Sequence, residues 1–303
     1  MNLASPASAC MLEAPAKVNL TLNVLGKRDD GYHELETVMH QIGLTDKISL
    51  KRGGSGIQVS SNSPLVPQDE ENLAYQAARL MYDKFALQAG LQIYIEKNIP
   101  VGAGLAGGST DAAAVITGIN DLFGLQLELN AMLELGARIG SDVPFCIMGG
   151  TALARGRGEI LSPLAEGPEL TLVLVKPDFQ ISTRAVYQAF RRENVASPPD
   201  TAAFLAAWNN CDMISIARKM NNVLESVSLS EHPEIVAIKH QLVELGAENA
   251  LMSGSGPTVL GVFASWRQAE QALLQMQRKY KESFLVFSYR KGGVNGGKAP
   301  HSG

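Results

Sequence analysis

The first part of the chain alternates apolar and polar positions in a way that is typical of β-strands. The clearest run has apolar side chains at Val18, Leu20, Leu22 and Val24, separated by Asn19, Thr21 and Asn23. A period of two places the apolar side chains on one face of a strand and the polar side chains on the other. We therefore predict a half-buried strand here, and further strands within residues 38–50 and 91–95.

Other segments repeat their apolar residues every three or four positions, which is typical of helices. On this basis helices are predicted over residues 72–85, 112–122, 130–139, 183–192, 201–208, 213–220, 234–245 and 266–280. Strands are predicted over residues 149–154, 170–175 and 284–289, with a strand–loop–strand unit over 251–263. Because strands and helices mix without regular alternation, the pattern favours an α+β fold.

A composition change in the middle of the chain indicates a domain boundary. Residues 155–168 are rich in glycine, proline and charge. We place the boundary there, between an N-terminal domain at residues 1–160 and a C-terminal domain at 161–303. The glycine-rich tail at residues 292–303 is predicted to be disordered.

A glycine-rich stretch, IPVGAGLAGGSTD at residues 99–111, lies between a predicted strand and a predicted helix. Glycine lets the backbone approach a ligand closely, and the free N–H groups of a helix N-terminus favour an anion. The stretch is therefore a candidate phosphate site. It lacks the Gly-Lys-Ser/Thr of a P-loop, and the Gly-x-Gly-x-x-Gly spacing of Gly102, Gly104 and Gly107 is a weak signal. The alternative is a glycine-rich turn in which Ser109 caps the helix.

The residues that end this stretch add further chemistry. Ser109, Thr110 and Asp111 supply two hydroxyls and a carboxylate. Oxygen groups of this kind ligate divalent cations, and hydroxyls also bind phosphate oxygens. These three are the nearest candidate ligands for a metal that accompanies a bound phosphate.

Composition narrows the class of protein. The chain has 303 residues, 46% of them hydrophobic, which is enough for a sizeable core. A formal charge of −4 argues against a general nucleic-acid binder. Cys10, Cys146 and Cys211 are widely spaced and indicate incidental thiols in a reducing compartment. We see no secretion signal and no apolar run of membrane length, and we expect a cytoplasmic protein.

Three blocks of sequence together resemble the GHMP small-molecule kinases. The stretch PVGAGLAGGSTD at residues 100–111 resembles the nucleotide loop of that family. APAKVNLTL at residues 14–22 and LMSGSGPTV at 251–259 resemble its first and third motifs, in the family order. The resemblance implies a ribosomal-protein-like α+β domain followed by a ferredoxin-like α+β domain, with the active site in the cleft between them.

Two more blocks narrow the resemblance to one branch of the family. KRDDGYHEL at residues 27–35 and GSDVPF at 140–145 resemble members that use ATP to phosphorylate the 2-hydroxyl of a cytidine diphosphate derivative of a methylated tetritol. The implied cofactors are ATP and Mg²⁺. The implied partner is a small molecule, not nucleic acid or membrane, and we expect a monomer or weak homodimer. The alternatives are another GHMP kinase, of mevalonate or sugar type, and a catalytically silent nucleotide sensor.

The resemblance implies that Lys17 and Asp142 are catalytic. It places Asp142 beside the substrate hydroxyl, as a base or as the acceptor of the hydroxyl's hydrogen bond. A lysine beside that carboxylate keeps it ionised and offsets charge on the transferred phosphoryl group. Taken alone, Asp142 is equally a helix cap or a turn residue, and Lys17 an exposed lysine. The joint pattern is what favours catalysis.

The resemblance also implies two sets of binding residues. Those for the nucleotide are Pro100, Val101, Gly102, Ala103, Gly104, Leu105, Ala106, Gly107, Gly108, Ser109 and Thr110. Those for the substrate are Asn19, Tyr32, His33, Asp142, Thr183 and Tyr187. Tyr32, His33 and Tyr187 would supply aromatic faces and hydrogen bonds for a cytosine ring. Tyr187 follows Thr183 by four positions and so shares its helix face, although a packed core residue is the alternative.

A second glycine-containing loop, SGSG at residues 253–256, is by itself compatible with a simple hairpin turn. In the family context it closes over the site of phosphate transfer and supports the first loop. The first loop carries Ala103 and Ala106 at positions where the family more often has glycine. Because alanine tolerates positive φ poorly, we predict ordinary backbone angles at both.

Overall fold

The protein, as a computed structural model, is described over residues 8–290; the tail predicted to be disordered, 292–303, lies outside these residues. The strands of the described part are β1 (Ala9–Lys27), β2 (His33–Arg52), β3 (Ile57–Ser61), β4 (Leu91–Glu96), β5 (Thr151–Gly156), β6 (Ile160–Pro163), β7 (Thr171–Lys176), β8 (Asn221–Asn222), β9 (Asn249–Met252), β10 (Val259–Phe263) and β11 (Glu282–Phe287). Its α-helices are α1 (Leu73–Phe85), α2 (Gly107–Phe123), α3 (Leu129–Ile139), α4 (Val143–Met148), α5 (Thr183–Ala189), α6 (Thr201–Asn209), α7 (Met213–Lys219), α8 (Glu225–Glu231), α9 (Pro233–Glu244) and α10 (Trp266–Met276). The predicted α+β class is confirmed.

The first sheet is built on the long antiparallel pair β1–β2. Its strand order is β3-β4-β2-β1-β8, with β5 paired to β2 and β6 paired to β5. The first half of β2 pairs with β5 and the second half with β4. Because Leu35 at the start of β2 lies opposite Gly156 at the end of β5, the β1–β2 turn and the β5–β6 turn are neighbours.

The prediction that β1 exposes its polar face is wrong. Asn19 and Thr21 are 2% and 0% exposed, as buried as Leu20 between them. Leu20 packs into a core shared with the second sheet, and Asn19 donates a hydrogen bond to Thr37 on β2. Alternation identifies two faces of a strand, but it does not report whether a second layer covers the polar face.

Helix α2 packs closely on the β1–β2 pair. A Cβ at Gly118 would lie 2.4 Å from Leu50 and 2.8 Å from Leu12, so glycine is needed for this approach. The helix begins at Gly107, five positions before the predicted start at residue 112. The early start places Ser109, Thr110 and Asp111 within the first turns of the helix.

The second sheet is antiparallel, in the order β11-β7-β10-β9. Numbered within this sheet alone, the order is 4-1-3-2, the arrangement of a ferredoxin-like fold, as predicted. β8, from the same half of the chain, pairs in parallel with β1 and so ties the two sheets together. Gly246, with φ +99°, follows α9 and ends it.

The division into domains at residues 160 and 161 stays a prediction. Those two residues lie in β6, which still pairs with β5 of the first sheet, and the chain enters the second sheet at Thr171. None of the described helices combines the length and the apolar character that crossing a membrane demands.

A buried histidine joins the two halves of the fold. Nδ1 of His40 lies 2.7 Å from the Thr151 hydroxyl, and Nε2 lies 2.9 Å from the Ser288 hydroxyl. The ring also packs edge-on against Trp208. Burial lowers the pKa of His40 to about 4, so the native protein holds the imidazole neutral.

This histidine is expected to make stability depend on pH. The pKa of an unfolded histidine is about 6.5. The unfolded chain therefore binds a proton at pH values where native His40 stays neutral. Because the unfolded state binds more protons, the free energy of unfolding falls as pH drops from about 6.5 towards about 4. Relative to His40→Gln, the wild type should lose about 2 kcal/mol between pH 7 and pH 5 in urea melts. His240→Gln, at an exposed histidine, serves as the control. Equal pH slopes in wild type and His40→Gln would contradict the assignment.

Candidate active site

The glycine-rich loop ends in an uncapped helix. Ala106 is the N-cap residue of α2, and its side chain makes no capping hydrogen bond. The first N–H groups of the helix therefore point out of it without an intrahelical partner, where the helix dipole favours an anion. The alternative in which Ser109 caps the helix is wrong, because Ser109 lies inside it.

The prediction of ordinary backbone angles holds for Ala103 and is wrong for Ala106, which has φ +58°. A left-handed L-residue costs about 1–2 kcal/mol. Ala103 and Leu105, 3% and 1% exposed, anchor the loop in the core on the near side of Ala106. Their packing compensates for the strained angle, which turns the chain into the helix.

This loop lines a cavity of about 280 Å³, which we call the loop cavity. Its wall includes every predicted nucleotide residue from Pro100 to Ser109. Thr110 is the exception. It is buried, it lines neither this cavity nor the larger one described below, and its hydroxyl donates to the Pro15 carbonyl oxygen at 2.8 Å. In the structure Thr110 therefore makes a packing contact between α2 and β1, and its role in nucleotide binding stays a prediction.

Asp111, a candidate metal ligand, lies in the wall of the loop cavity beside Lys97, and its Oδ1 has no hydrogen-bond partner among the described residues. Its Oδ2 accepts a hydrogen bond from Lys97 Nζ at 2.8 Å, and Lys97 also pairs with the buried Asp46. Burial raises the pKa of Asp111. Lys97 was missed by the sequence analysis, and its only signal is a charged residue directly between strand β4 and the glycine-rich loop.

A second cavity, of about 830 Å³, lies beside the first, and we call it the large cavity. It brings together all of the residues predicted to act on the substrate: Lys17, Asn19, Tyr32, His33, Asp142, Thr183 and Tyr187. They come from β1, the β1–β2 turn, the start of β2, the N-terminus of α4, and α5. Lys17 and Tyr187 are 170 positions apart in sequence, so the cavity exists only in the folded chain.

Lys17 and Asp142 face each other in this cavity. Lys17 Nζ lies 3.4 Å from Asp142 Oδ2 and donates to Asn19 Oδ1 at 2.8 Å. Asp142 occupies the N-cap position of α4 but makes no side-chain capping bond. Its carboxylate is thus free to act in the cavity, whereas a capping role would have turned it to the backbone.

The side chain of Asn19 is hydrogen-bonded to Lys17. Its Oδ1 accepts from Lys17, and its Nδ2 donates to Thr37 Oγ1 at 2.8 Å. The sequence analysis assigned Asn19 to the substrate. The structure adds a more immediate role, which is to fix the direction of the Lys17 ammonium within a buried chain of hydrogen bonds.

The far end of the large cavity is aromatic. The rings of His33 and Tyr187 lie 5.3 Å apart between centroids, and Tyr32 is 55% exposed beside them. Burial lowers the pKa of His33 and raises the pKa of Tyr187, so both rings are neutral at physiological pH. Neutral aromatic faces with polar edges suit a planar heterocycle.

The second glycine-containing loop, between β9 and β10, touches the first. Ser253 Oγ donates to the Gly104 carbonyl oxygen at 3.2 Å, and a Cβ at Gly104 would lie 2.6 Å from the Ser253 carbonyl oxygen. Gly254 and Ser255 line the large cavity. Ser255 Oγ lies 2.7 Å from Thr183 Oγ1, which connects this loop to α5.

The two cavities meet at a short shared wall. Gly104, Ala106 and Ser109 line both of them. A ligand that fills the loop cavity with its anionic end towards α2 would thus present that end to Lys17 and Asp142. The arrangement is suited to moving a phosphate group from one ligand to another.

The sequence analysis also missed several residues of the large cavity. They include Asp30, Ser141, Arg157, Arg184 and Gln188. Arg157 lies in a Gly-Arg-Gly turn inside the segment interpreted as a domain boundary. Its composition indicated a linker, and it gave no sign that the turn faces a site.

Comparisons with known proteins agree with the geometry. Residues 72–150 match the family described as GHMP kinases N terminal domain, and residues 204–282 match GHMP kinases C terminal. The chain is 60% identical to 4-diphosphocytidyl-2-C-methyl-D-erythritol kinase of Syntrophomonas wolfei subsp. wolfei (strain DSM 2245B / Goettingen), over 92% of this chain and 98% of the relative. It is 43% identical to the kinase of the same name from Alkaliphilus metalliredigens (strain QYMF), over 92% of this chain and 97% of that relative.

Solved structures give the same result. A crystal structure of 4-(cytidine 5'-diphospho)-2C-methyl-D-erythritol kinase matches with a TM-score of 0.80 and 33% identity, over 93% of this chain and all of the other. A crystal structure of L. major mevalonate kinase in complex with R-mevalonate matches with a TM-score of 0.73 but only 18% identity, so that likeness concerns the fold alone. The predicted family and the predicted ATP-dependent phosphotransferase activity are confirmed. The chain belongs to the GHMP kinase family and, within it, to the group of 4-diphosphocytidyl-2-C-methyl-D-erythritol kinases.

Proposed function

We propose that the protein transfers the γ-phosphoryl group of ATP to the 2-hydroxyl of 4-diphosphocytidyl-2-C-methyl-D-erythritol, with ATP in the loop cavity and the acceptor in the large cavity. The observation that carries this assignment is the shared wall at Gly104, Ala106 and Ser109. It lets the two ligands meet beside Lys17 and Asp142.

At the acceptor end, Asp142 takes the hydrogen bond of the attacking hydroxyl and accepts its proton as the new oxygen–phosphorus bond forms. The bond between the γ-phosphorus and the bridging oxygen of ATP breaks in the same transfer, and ADP leaves. Lys17, 3.4 Å from that carboxylate, keeps it ionised and faces the charge on the transferred group. Asn19 holds Lys17 in this direction. The catalytic work of these residues is positioning and charge stabilisation, which is what phosphoryl transfer asks of a protein.

At the nucleotide end, the N-terminus of α2 holds the phosphates through its free N–H groups. The described residues contain no cluster of three or more His, Cys, Asp or Glu side chains suited to a metal. Mg²⁺ would nevertheless fit beside a bound nucleotide, because it keeps several waters and takes phosphate oxygens as ligands. The Ser109 hydroxyl, in the wall that both cavities share, would be a protein ligand for it. When bound, Mg²⁺ neutralises charge on the phosphate oxygens.

At the aromatic end, Tyr32 and Tyr187 take the two faces of the cytosine ring, and His33 bonds its edge. Thr183 lies on the same side of α5 as Tyr187 and close to Ser255. The 830 Å³ of the large cavity is enough for a ligand with a base, a diphosphate and a tetritol.

The test is an ADP-release assay with Mg-ATP and purified protein. Turnover with 4-diphosphocytidyl-2-C-methyl-D-erythritol, and none with mevalonate, homoserine or galactose, is the expected result. Turnover with one of the other acceptors would keep the kinase fold and discard the cytosine assignment. ATP binding without turnover of any acceptor would favour a nucleotide sensor.

Tyr187→Ala is expected to raise the KM for the cytidyl acceptor by about tenfold, because stacking of one base on an aromatic ring contributes about 1–3 kcal/mol. The KM for ATP should stay unchanged, since Tyr187 lines the large cavity and not the loop cavity. Tyr94→Ala, at an exposed tyrosine on β4, is the control. Steady-state kinetics with each substrate varied in turn decide the matter, and an unchanged acceptor KM removes Tyr187 from the base site.

A further inference from the structure

Arg157 is a cavity residue that the proposed chemistry does not use. It lies in the β5–β6 turn, between Gly156 (φ +70°) and Gly158 (φ +114°). Its guanidinium carbon stands 5.0 Å from the centroid of the Tyr32 ring, the spacing of a cation–π pair. The Tyr32 ring is 55% exposed, so this contact covers a side chain that otherwise stands at the mouth of the cavity.

The two turns that carry Arg157 and Tyr32 are fastened to each other. Glu34 accepts hydrogen bonds from Arg28 in the first turn and from the Gly156 backbone N–H, at 3.1 Å, in the second. The Glu34 carboxylate thus links the turn that carries Tyr32 to the turn that carries Arg157, and the two side chains lie opposite each other. The approach of the two side chains is therefore fixed by the fold, although they are 125 positions apart in sequence.

The backbone at both ends of the pair is fixed as well. The Tyr32 N–H donates to Asp30 Oδ1 at 3.1 Å, and the Arg157 N–H donates to Glu159 Oε2 at 2.6 Å. Glu159 Oε1 also lies 3.7 Å from Arg157 Nε. The Glu159 carboxylate thus offsets charge on the Arg157 guanidinium from its Nε edge. The flat face of the guanidinium is left to contact the Tyr32 ring.

We propose that Arg157 is a positioning residue for the pyrimidine ring of the acceptor. It covers one face of Tyr32 and holds that ring in place, so that the opposite face receives the base. The inference rests on the proposed function, because it takes the cytidyl group to bind at Tyr32. It adds a specificity-determining contact made through an aromatic side chain and not through the ligand itself.

The test is a double-mutant cycle with the full chain. Arg157→Ala should raise the KM for 4-diphosphocytidyl-2-C-methyl-D-erythritol about two- to fivefold, the range of an exposed cation–π contact, with kcat and the KM for ATP unchanged. In a Tyr32→Leu background, Arg157→Ala should have no further effect. Arg157→Lys, which keeps the cation, should recover part of the loss.

Arg155→Ala is the matched control, because Arg155 lies two positions away, pairs with Glu36 and is not part of either cavity wall. It should leave every parameter at the wild-type value. The same rise in acceptor KM with and without Tyr32 would show that Arg157 touches the ligand directly, and this would overturn the proposal. So would an unchanged KM in Arg157→Ala. If Tyr32→Leu alone leaves the acceptor KM unchanged, it is the cytosine assignment of the proposed function that fails.

Discussion

Asp142→Asn is expected to lower kcat by about 10²–10⁴-fold while leaving the affinity for ATP nearly unchanged. The amide keeps the shape of the carboxylate but cannot accept the proton of the attacking hydroxyl. It also leaves the buried Lys17 without its anionic neighbour at 3.4 Å. ATP binding should survive, because Asp142 lines the large cavity and not the loop cavity.

Single-turnover phosphate transfer and ATP titration measure the two effects separately. Asp83→Asn, which makes the same chemical change in an exposed ion pair with Arg79, is the control for charge loss. A kcat within tenfold of wild type would leave Asp142 only the task of orienting the hydroxyl. Loss of ATP binding together with a lower melting temperature would instead identify a structural residue of α4.

Local patterns predicted most of the elements. Residues 72–85 repeat their apolar positions at helical spacing, and α1 runs from Leu73 to Phe85 with Asn72 as its capping residue. The strand–loop–strand unit predicted over 251–263 is β9 and β10. In these segments, periodicity and capping chemistry both favour the observed structure, so local and tertiary preferences agree.

The predictions of element bounds and burial failed where tertiary packing determines the structure. Two glycines, 107 and 108, are poor helix formers, yet α2 begins at Gly107 because the loop and helix are held by contacts such as that of Thr110 with Pro15. Short helix α8, Glu225–Glu231, was missed. The burial of Asn19 likewise depends on a layer contributed by a distant part of the chain.

The residues of the site divide in the same way, into those found from local sequence motifs and those that depend on distant contacts. Its contiguous motifs could be found by eye, because a loop that holds phosphate needs glycines in one short run. Lys97 and Arg157 could not, since each acquires its role from a partner far away in sequence: Asp46 for the first, Tyr32 for the second. Asp111 was assigned a ligand role on residue type alone, and its ion pair with Lys97 became visible only in the fold.

Gly104→Ala is expected to reduce kcat/KM by about 10²-fold or more, because a displacement of about 1 Å at a reacting centre has effects of this size. Gly104 has φ +75°, and an added Cβ would lie 2.6 Å from the Ser253 carbonyl oxygen and 2.8 Å from the Gly256 carbonyl oxygen. Backbone atoms cannot rotate away as a flexible side chain can. One of the two glycine-containing loops must therefore move, and Gly104 belongs to the wall that the two cavities share.

Gly124→Ala separates this clash from the cost of the backbone angle. Gly124 has φ +62°, and no atom of residues 8–290, apart from its own chain neighbours, lies within 4 Å of the position that a Cβ would take. Both substitutions should lower the free energy of unfolding by about 1 kcal/mol for the left-handed conformation. Only Gly104→Ala should also weaken ATP binding and phosphate transfer. Equal activity in the two variants would mean that the second loop yields to the new methyl group, and that its contact with Gly104 does not set the geometry of transfer.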